Sequence, residues 1–198
     1  MKKKKGSVLK TIVSMTLLAG IIVFAYFYMA NNISNSSEKS KTPNTEVEKL
    51  LAKDLVSSYP GTPKEVIKLY IRINQSFYNE SLKSKQFDSM LDQIRLLMDD
   101  KMLANNPLET HKDSLESLVK KSKKKKSRFV AYIVEDNSDV VYNTIDGEEH
   151  ATINASYTVR ESGDYEKTYV QFIMKKNKDN QWKILGWKVT DPKEMEEE

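Results

Sequence analysis

The chain of 198 residues contains no cysteine and only two histidines. Without thiols there is no disulfide framework, no thiolate zinc site, no iron–sulfur cluster, no cysteine nucleophile and no lipid-modified cysteine. His111 and His150 are too few and too far apart in the sequence to suggest a histidine metal centre. Net charge is nearly missing too, once its location is read. The formal total is +4, yet Lys2, Lys3, Lys4, Lys5 and Lys10 alone carry +5, which leaves −1 on residues 11–198. A general nucleic-acid binder needs a basic surface that displaces counterions, so no nucleic-acid partner is predicted. No internal repeat is apparent either.

What is present begins with residues 11–30, the uncharged run TIVSMTLLAGIIVFAYFYMA. Twenty helical residues span about 30 Å, the thickness of a bilayer hydrocarbon core. Tyr26 and Tyr28 lie near its far end, where amphipathic rings favour the headgroup region, and the lysines before it should stay cytoplasmic. A cleaved signal peptide would have a shorter apolar stretch of ~7–15 residues and a small-x-small cleavage site. Bulky Tyr28 sits two residues before Ala30, so an uncleaved anchor fits better. The sequence therefore predicts a cytoplasmic basic segment at 1–10 and a single transmembrane helix at 11–30. A polar Ser/Asn-rich tether follows at 31–45, and then an extracytoplasmic domain at 46–198. About 150 residues suffice for one hydrophobic core.

The first half of that domain has helical period. Val47, Leu50, Leu51 and Leu55 share a face of a short helix before Tyr59-Pro60-Gly61. Thr62-Pro63-Lys64-Glu65 combines an N-cap, a first-position proline and a capping-box glutamate. The helix it opens carries Val66, Ile67, Tyr70, Ile71, Ile73, Phe77 and Tyr78. One further helix is predicted from Phe87 through Met98 to Met102, stopped by Asn105-Asn106-Pro107. A last one presents Leu115, Leu118 and Val119 before the run KKSKKKKSR begins. Beyond residue 127 the period becomes that of strands: Phe129, Ala131 and Ile133; Val140 to Ile145; the alternating Ala151 to Val159; Tyr165 to Lys175; and Gln181 to Thr190. Helices first and an antiparallel meander after them make an α+β domain.

The closing hairpin, Tyr169-Val170-Gln171-Phe172-Ile173-Met174, a polar turn, and Gln181-Trp182-Lys183-Ile184-Leu185-Gly186-Trp187, resembles that of the nuclear transport factor 2-like (cystatin-like) superfamily. The order of elements is similar from Thr62 to Thr190. The resemblance implies amino-terminal helices packed on a curved antiparallel sheet, a cone-like roll. The layout of anchor, tether and roll is also similar to membrane-anchored proteins of Gram-positive bacteria and to the inner-membrane assembly factor of type IV secretion machines. Enzymes of the superfamily, ketosteroid isomerase and polyketide cyclases among them, place an Asp or His base inside the cone. No such motif carries over residue by residue.

Candidate chemistry is sparse. His150 precedes Ala151 and falls on the polar face of its strand, and His111 follows Pro107; both read as solvated. Asp88 and Asp92 share a helix face, with Arg95 placed to neutralise it. Asp136-Asn137-Ser138-Asp139 and Asn177-Lys178-Asp179-Asn180 lack the glycine and closing glutamate of a calcium loop and read as turns. Lys120, Lys121, Lys123, Lys124, Lys125, Lys126 and Arg128 form the one concentrated basic patch outside the anchor. They are candidates for contact with anionic headgroups, wall polymers or an acidic partner, or else a solvated helix-to-strand connection. The acidic tail at 193–198 is expected to be exposed. Tyr59, Tyr70, Tyr78, Tyr132, Tyr157, Tyr165 and Tyr169, with Trp182 and Trp187, are able to fill a core or to line a ligand pocket.

The reading that follows is a non-enzymatic, single-pass cell-membrane protein displaying a binding domain outside the cytoplasm. An envelope protein or a small ligand is its expected partner, and no cofactor or metal is expected. The alternatives are a structural subunit of a type IV secretion or conjugation-like complex, and a pocket enzyme of the isomerase or cyclase kind.

Overall fold

The structure, a computed structural model, describes residues 45–191. The expected basic segment, membrane helix, acidic tail and all of the tether except Thr45 lie outside the described residues. Among the described residues no helix is long and apolar enough to cross a membrane.

Thr45 belongs to the fold rather than to the tether. Its side chain caps α1 (Glu46–Leu51), with Glu48 closing the capping box. Thr62 and Glu65 do the same for α2 (Pro63–Asn79), with Pro63 at the first position, and this start is legible in the sequence. α2 is the central helix: Val66, Ile67 and Ile73 are wholly buried, and the Phe77 ring meets Phe87 edge-on at 4.8 Å. The single helix expected from Phe87 to Met102 is two, α3 (Ser84–Leu96) and α4 (Asp100–Asn105). Between them the backbone leaves the helical ladder to bond a strand. Ile184 N–H donates to Leu97 O at 2.8 Å and Asp99 N–H donates to Ile184 O at 2.9 Å. The buried Asp99 carboxylate then accepts from Lys101 N–H and so caps α4. Hydrophobic period alone cannot show such a break, because Leu97 and Met98 are buried whether or not the helix is continuous. α5 (Leu108–Lys125) completes the helical half.

Five strands follow: β1 (Arg128–Val134), β2 (Val141–Ile145), β3 (Glu148–Glu161), β4 (Asp164–Lys176) and β5 (Trp182–Thr190). All pairs are antiparallel, in the order β1-β3-β4-β5, with β2 also pairing β3. Two tight hairpins join β2 to β3 through Asp146-Gly147 and β3 to β4 through Ser162-Gly163, all four residues with positive φ, as the twist-compatible two-residue turns require.

The α+β class stands, but the cone-like roll does not. The sheet is open, with β1 and β5 at opposite edges and unpaired with each other. β1 and β2 share one edge of β3 end to end, on Ala155–Arg160 and Glu148–Thr152 respectively, so no level of the sheet is more than four strands wide. Its edges are also engaged elsewhere. Asn79 exchanges hydrogen bonds with the Phe129 backbone on β1 (2.7 and 2.9 Å), and the Leu97–Asp99 segment takes Ile184 on β5.

Ala151, Ile153 and Ala155 on β3, opposite Met174, Phe172 and Val170 on β4, form the core face of the sheet. Two bulges reset the alternation at its edges. In β1 the register shifts between Phe129 and Ala131, so Phe129, Tyr132 and Val134 face the core while Ile133 is 65% exposed. In β5 Leu185 is the extra residue: Met174 pairs Ile184, Ile173 pairs Gly186 and Phe172 pairs Trp187. That insertion turns Trp187 onto the same face as Phe172 and Ile184.

Candidate aromatic pocket

The core face extends further than its helical cover. Trp187 and Val189 belong to that face by register, yet they are 45% and 70% exposed. A cavity of about 230 Å³ lies where the cover thins, between α2 and the sheet. α2 contributes Tyr70, Asn74 and Tyr78, one turn apart along one side of the helix, together with Ile71. The sheet contributes Phe129, Tyr157, Phe172 and Trp187, with Val159 and Val170 between them.

The rings form two groups. Tyr70 meets Phe172 edge-on and lies tilted against Trp187, both with centroids 5.7 Å apart. Phe129 stacks on Tyr157 at 5.2 Å. Phe129 is held in place through its backbone: Asn79 pairs with both its N–H and its carbonyl, and Gln75 Nε2 also donates to that carbonyl at 3.3 Å.

The polar groups of the pocket are phenols and one amide. Asn74 Nδ2 donates to the Tyr70 carbonyl one turn earlier at 2.9 Å. Burial pushes the Tyr70 phenol well above the ordinary tyrosine range, against an opposing hydrogen bond with the Asn74 side chain. Burial raises Tyr78 and Tyr157 as well. All three phenols are therefore neutral donors at physiological pH. No carboxylate or imidazole lines the cavity.

Of the aromatic residues flagged in the sequence, Tyr70, Tyr78, Tyr157 and Trp187 converge here. Tyr59 instead donates to the Trp182 carbonyl at 2.9 Å, and Trp182 is buried beside Tyr142. Tyr165 is 65% exposed, and Tyr169 lies under the Lys167 ammonium at 4.7 Å. Phe129, Phe172 and Asn74 join the pocket without any sequence signal that separates them from core residues.

Most of the basic run is helical. Lys120 through Lys125 form the last turns of α5, Lys126 ends it in the left-handed region at φ 57°, and Arg128 opens β1. Cations at a helix C-terminus are favoured by the backbone dipole, which accounts for part of the run. Among the described residues only Lys125 of the run has an ion pair, to Glu161 at 3.0 Å. Glu161 also accepts from Ser127 Oγ at 2.7 Å, and these two contacts hold its carboxyl below the usual range. Lys120, Lys121, Lys123, Lys124, Lys126 and Arg128 are exposed.

The other flagged groups are placed simply. His150 is on the uncovered face of β3, with Nδ1 3.0 Å from Glu148 O. His111 is half-buried in the first turn of α5 rather than solvated, and its Nδ1 accepts from Arg95 at 3.3 Å. Arg95 also donates to the Asn106 carbonyl at 2.8 Å, and Asp88 is paired by Lys112 at 2.7 Å. Asp136–Asp139 and Asn177–Gln181 are turns closed by their own side chains. Among the described residues no group of three or more acidic or histidine side chains is arranged to hold a metal.

No curated protein matches the chain. A family model described as a domain of unknown function (DUF6715) matches residues 1–187, and the chain belongs to that family.

Proposed function

We propose that the protein is a single-pass membrane protein whose α+β domain stands outside the cytoplasm and captures a small apolar ligand in the aromatic pocket. The observation that carries the binding reading is the pocket itself. Six aromatic rings surround about 230 Å³ at the edge of the core, with three neutral hydroxyls to orient what enters. A concave, mostly apolar site with a few convergent polar groups is the usual form of a small-molecule site. The anchor supports the location: the apolar run at 11–30 has the length of a bilayer span and lysines on the side expected to stay in the cytoplasm.

The test uses the full-length chain, purified from its native membrane and analysed for small molecules released on denaturation. A released apolar compound, lost when Val170→Trp fills the cavity, is the expected result. Equal recovery from the wild type and the filled variant would refute the pocket as the binding site. Protease added outside intact cells should remove the domain, and protection of the domain would refute the orientation.

A second contact is supported by the exposed cations at the end of α5. They present six positive charges without a carboxylate partner among the described residues. In a domain tethered close to a bilayer, such a ridge is suited to anionic headgroups.

A further inference from the structure

We infer that the aromatic pocket takes an uncharged, planar molecule of one or two fused rings that carries a hydroxyl or carbonyl group on one edge. This rests on the reading of the cavity as a ligand site and narrows it to a chemical class.

Size sets the first limit. An apolar cavity of about 150 Å³ holds a single benzene ring, and drug-sized ligands occupy about 300–1,000 Å³. The cavity, at about 230 Å³, lies between them. Shape sets the second. The ring pairs Tyr70–Trp187 and Phe129–Tyr157 line the space, and aromatic ligands gain from offset or edge-on contact with aromatic walls beyond the area they bury. A flexible chain gains no such contact and loses rotamer freedom on entry.

Charge sets the third. A charged group buried without a partner is strongly disfavoured, and no ionised side chain lines the cavity. An anion would find no cationic side chain in the lining. A cation would find ring faces but no carboxylate in the lining. The hydroxyls of Tyr70, Tyr78 and Tyr157 remain protonated, so they are able to donate to a carbonyl or exchange hydrogen bonds with a hydroxyl. Trp187, nearly half-exposed, is the most solvent-accessible aromatic ring of the lining.

The experiment titrates the full-length chain in phosphatidylcholine nanodiscs with four probes by ligand-observed NMR. They are naphthol, naphthoate, trimethylphenylammonium and decanol, and empty nanodiscs serve as the reference. Naphthol should bind saturably and at least about tenfold more tightly than each of the other three, a ratio that corresponds to one decade in dissociation constant. Trp187→Ala, which removes a half-exposed lining ring that packs on Tyr70 and Phe172, should weaken naphthol several-fold, and Val170→Trp should abolish its binding. Circular dichroism confirms that each variant folds. If naphthoate, the ammonium probe or decanol equals or exceeds naphthol, the chemical class is overturned while the pocket remains a ligand site. If no probe binds in excess over empty nanodiscs, or if neither variant alters naphthol binding, the ligand site falls and the inference with it.

Discussion

Replacing Asn79 by alanine tests how the pocket wall is held. Asn79 Oδ1 accepts from Phe129 N–H at 2.9 Å, and its Nδ2 donates to Phe129 O at 2.7 Å. These bonds stand in for a neighbouring strand at the point where the bulge begins. Removing them orphans the N–H, whereas the carbonyl keeps the longer bond from Gln75 at 3.3 Å. Leaving one buried donor unpaired costs about 1–3 kcal/mol, and weakening a hydrogen bond about 0.5–1.5 kcal/mol. Phe129 is 7% exposed, but its backbone lies at a sheet edge that water reaches on one side. A loss of about 1.5–3 kcal/mol is therefore expected. With a urea slope of about 2 kcal/mol/M, the midpoint should fall by roughly 1 M. The assay is urea unfolding of the full-length chain in nanodiscs, followed by the fluorescence of Trp182 and Trp187. Gln75→Ala serves as the comparison and should cost less than half as much, because Asn79 still satisfies both Phe129 groups. A fall of less than about 0.3 M for Asn79→Ala would refute the argument, since water would then be replacing the side chain at no cost.

Two further outcomes follow from the same geometry. Burial, and then the Arg95 guanidinium, hold the His111 imidazole below its usual value of 6.5. The unfolded chain thus binds the proton more readily, and stability present above pH 6.5 should be lost as pH falls toward the depressed folded value. His111→Asn, which keeps an acceptor for Arg95, should flatten the stability profile between pH 7 and 5; an unchanged profile in a pH-resolved melt would exclude His111 as the source. At the end of α5, changing Lys120, Lys121, Lys123 and Lys124 together to glutamine should weaken binding to phosphatidylserine vesicles at least about tenfold, given about 1 kcal/mol for each lysine near an anionic surface. Cosedimentation that is equal for both forms, or insensitive to salt, would refute a headgroup contact.

Local rules were readable wherever the cause is local. The capping box at Thr62–Glu65, the apolar face of α2, the alternation of β3 and the change from helical to strand period at residue 127 all depend on neighbours a few positions away. Pocket membership was not readable in this way. Tyr70 and Tyr59 have the same composition signal, yet one lines the cavity and the other bonds the Trp182 carbonyl. Which aromatic ring faces a void depends on how α2 crosses the sheet, a long-range matter.

The amino-acid sequence by itself determined the α+β order of elements, the helix starts, the tight turns and the asymmetry of charge that sets +5 on the first ten residues against −1 on the rest. The tertiary structure decided three things. It left the sheet open, with Asn79 and the Leu97–Asp99 segment bonded to the backbone of its outer strands. It split the third predicted helix, because Leu97 and Asp99 hydrogen-bond Ile184 across the fold. It brought Trp187 over Tyr70, because one extra residue in β5 shifts a two-residue period by one. The first two depend on hydrogen bonds between segments far apart in the chain and the third on the register of one hairpin, and a pattern of hydrophobic residues carries no record of those partners.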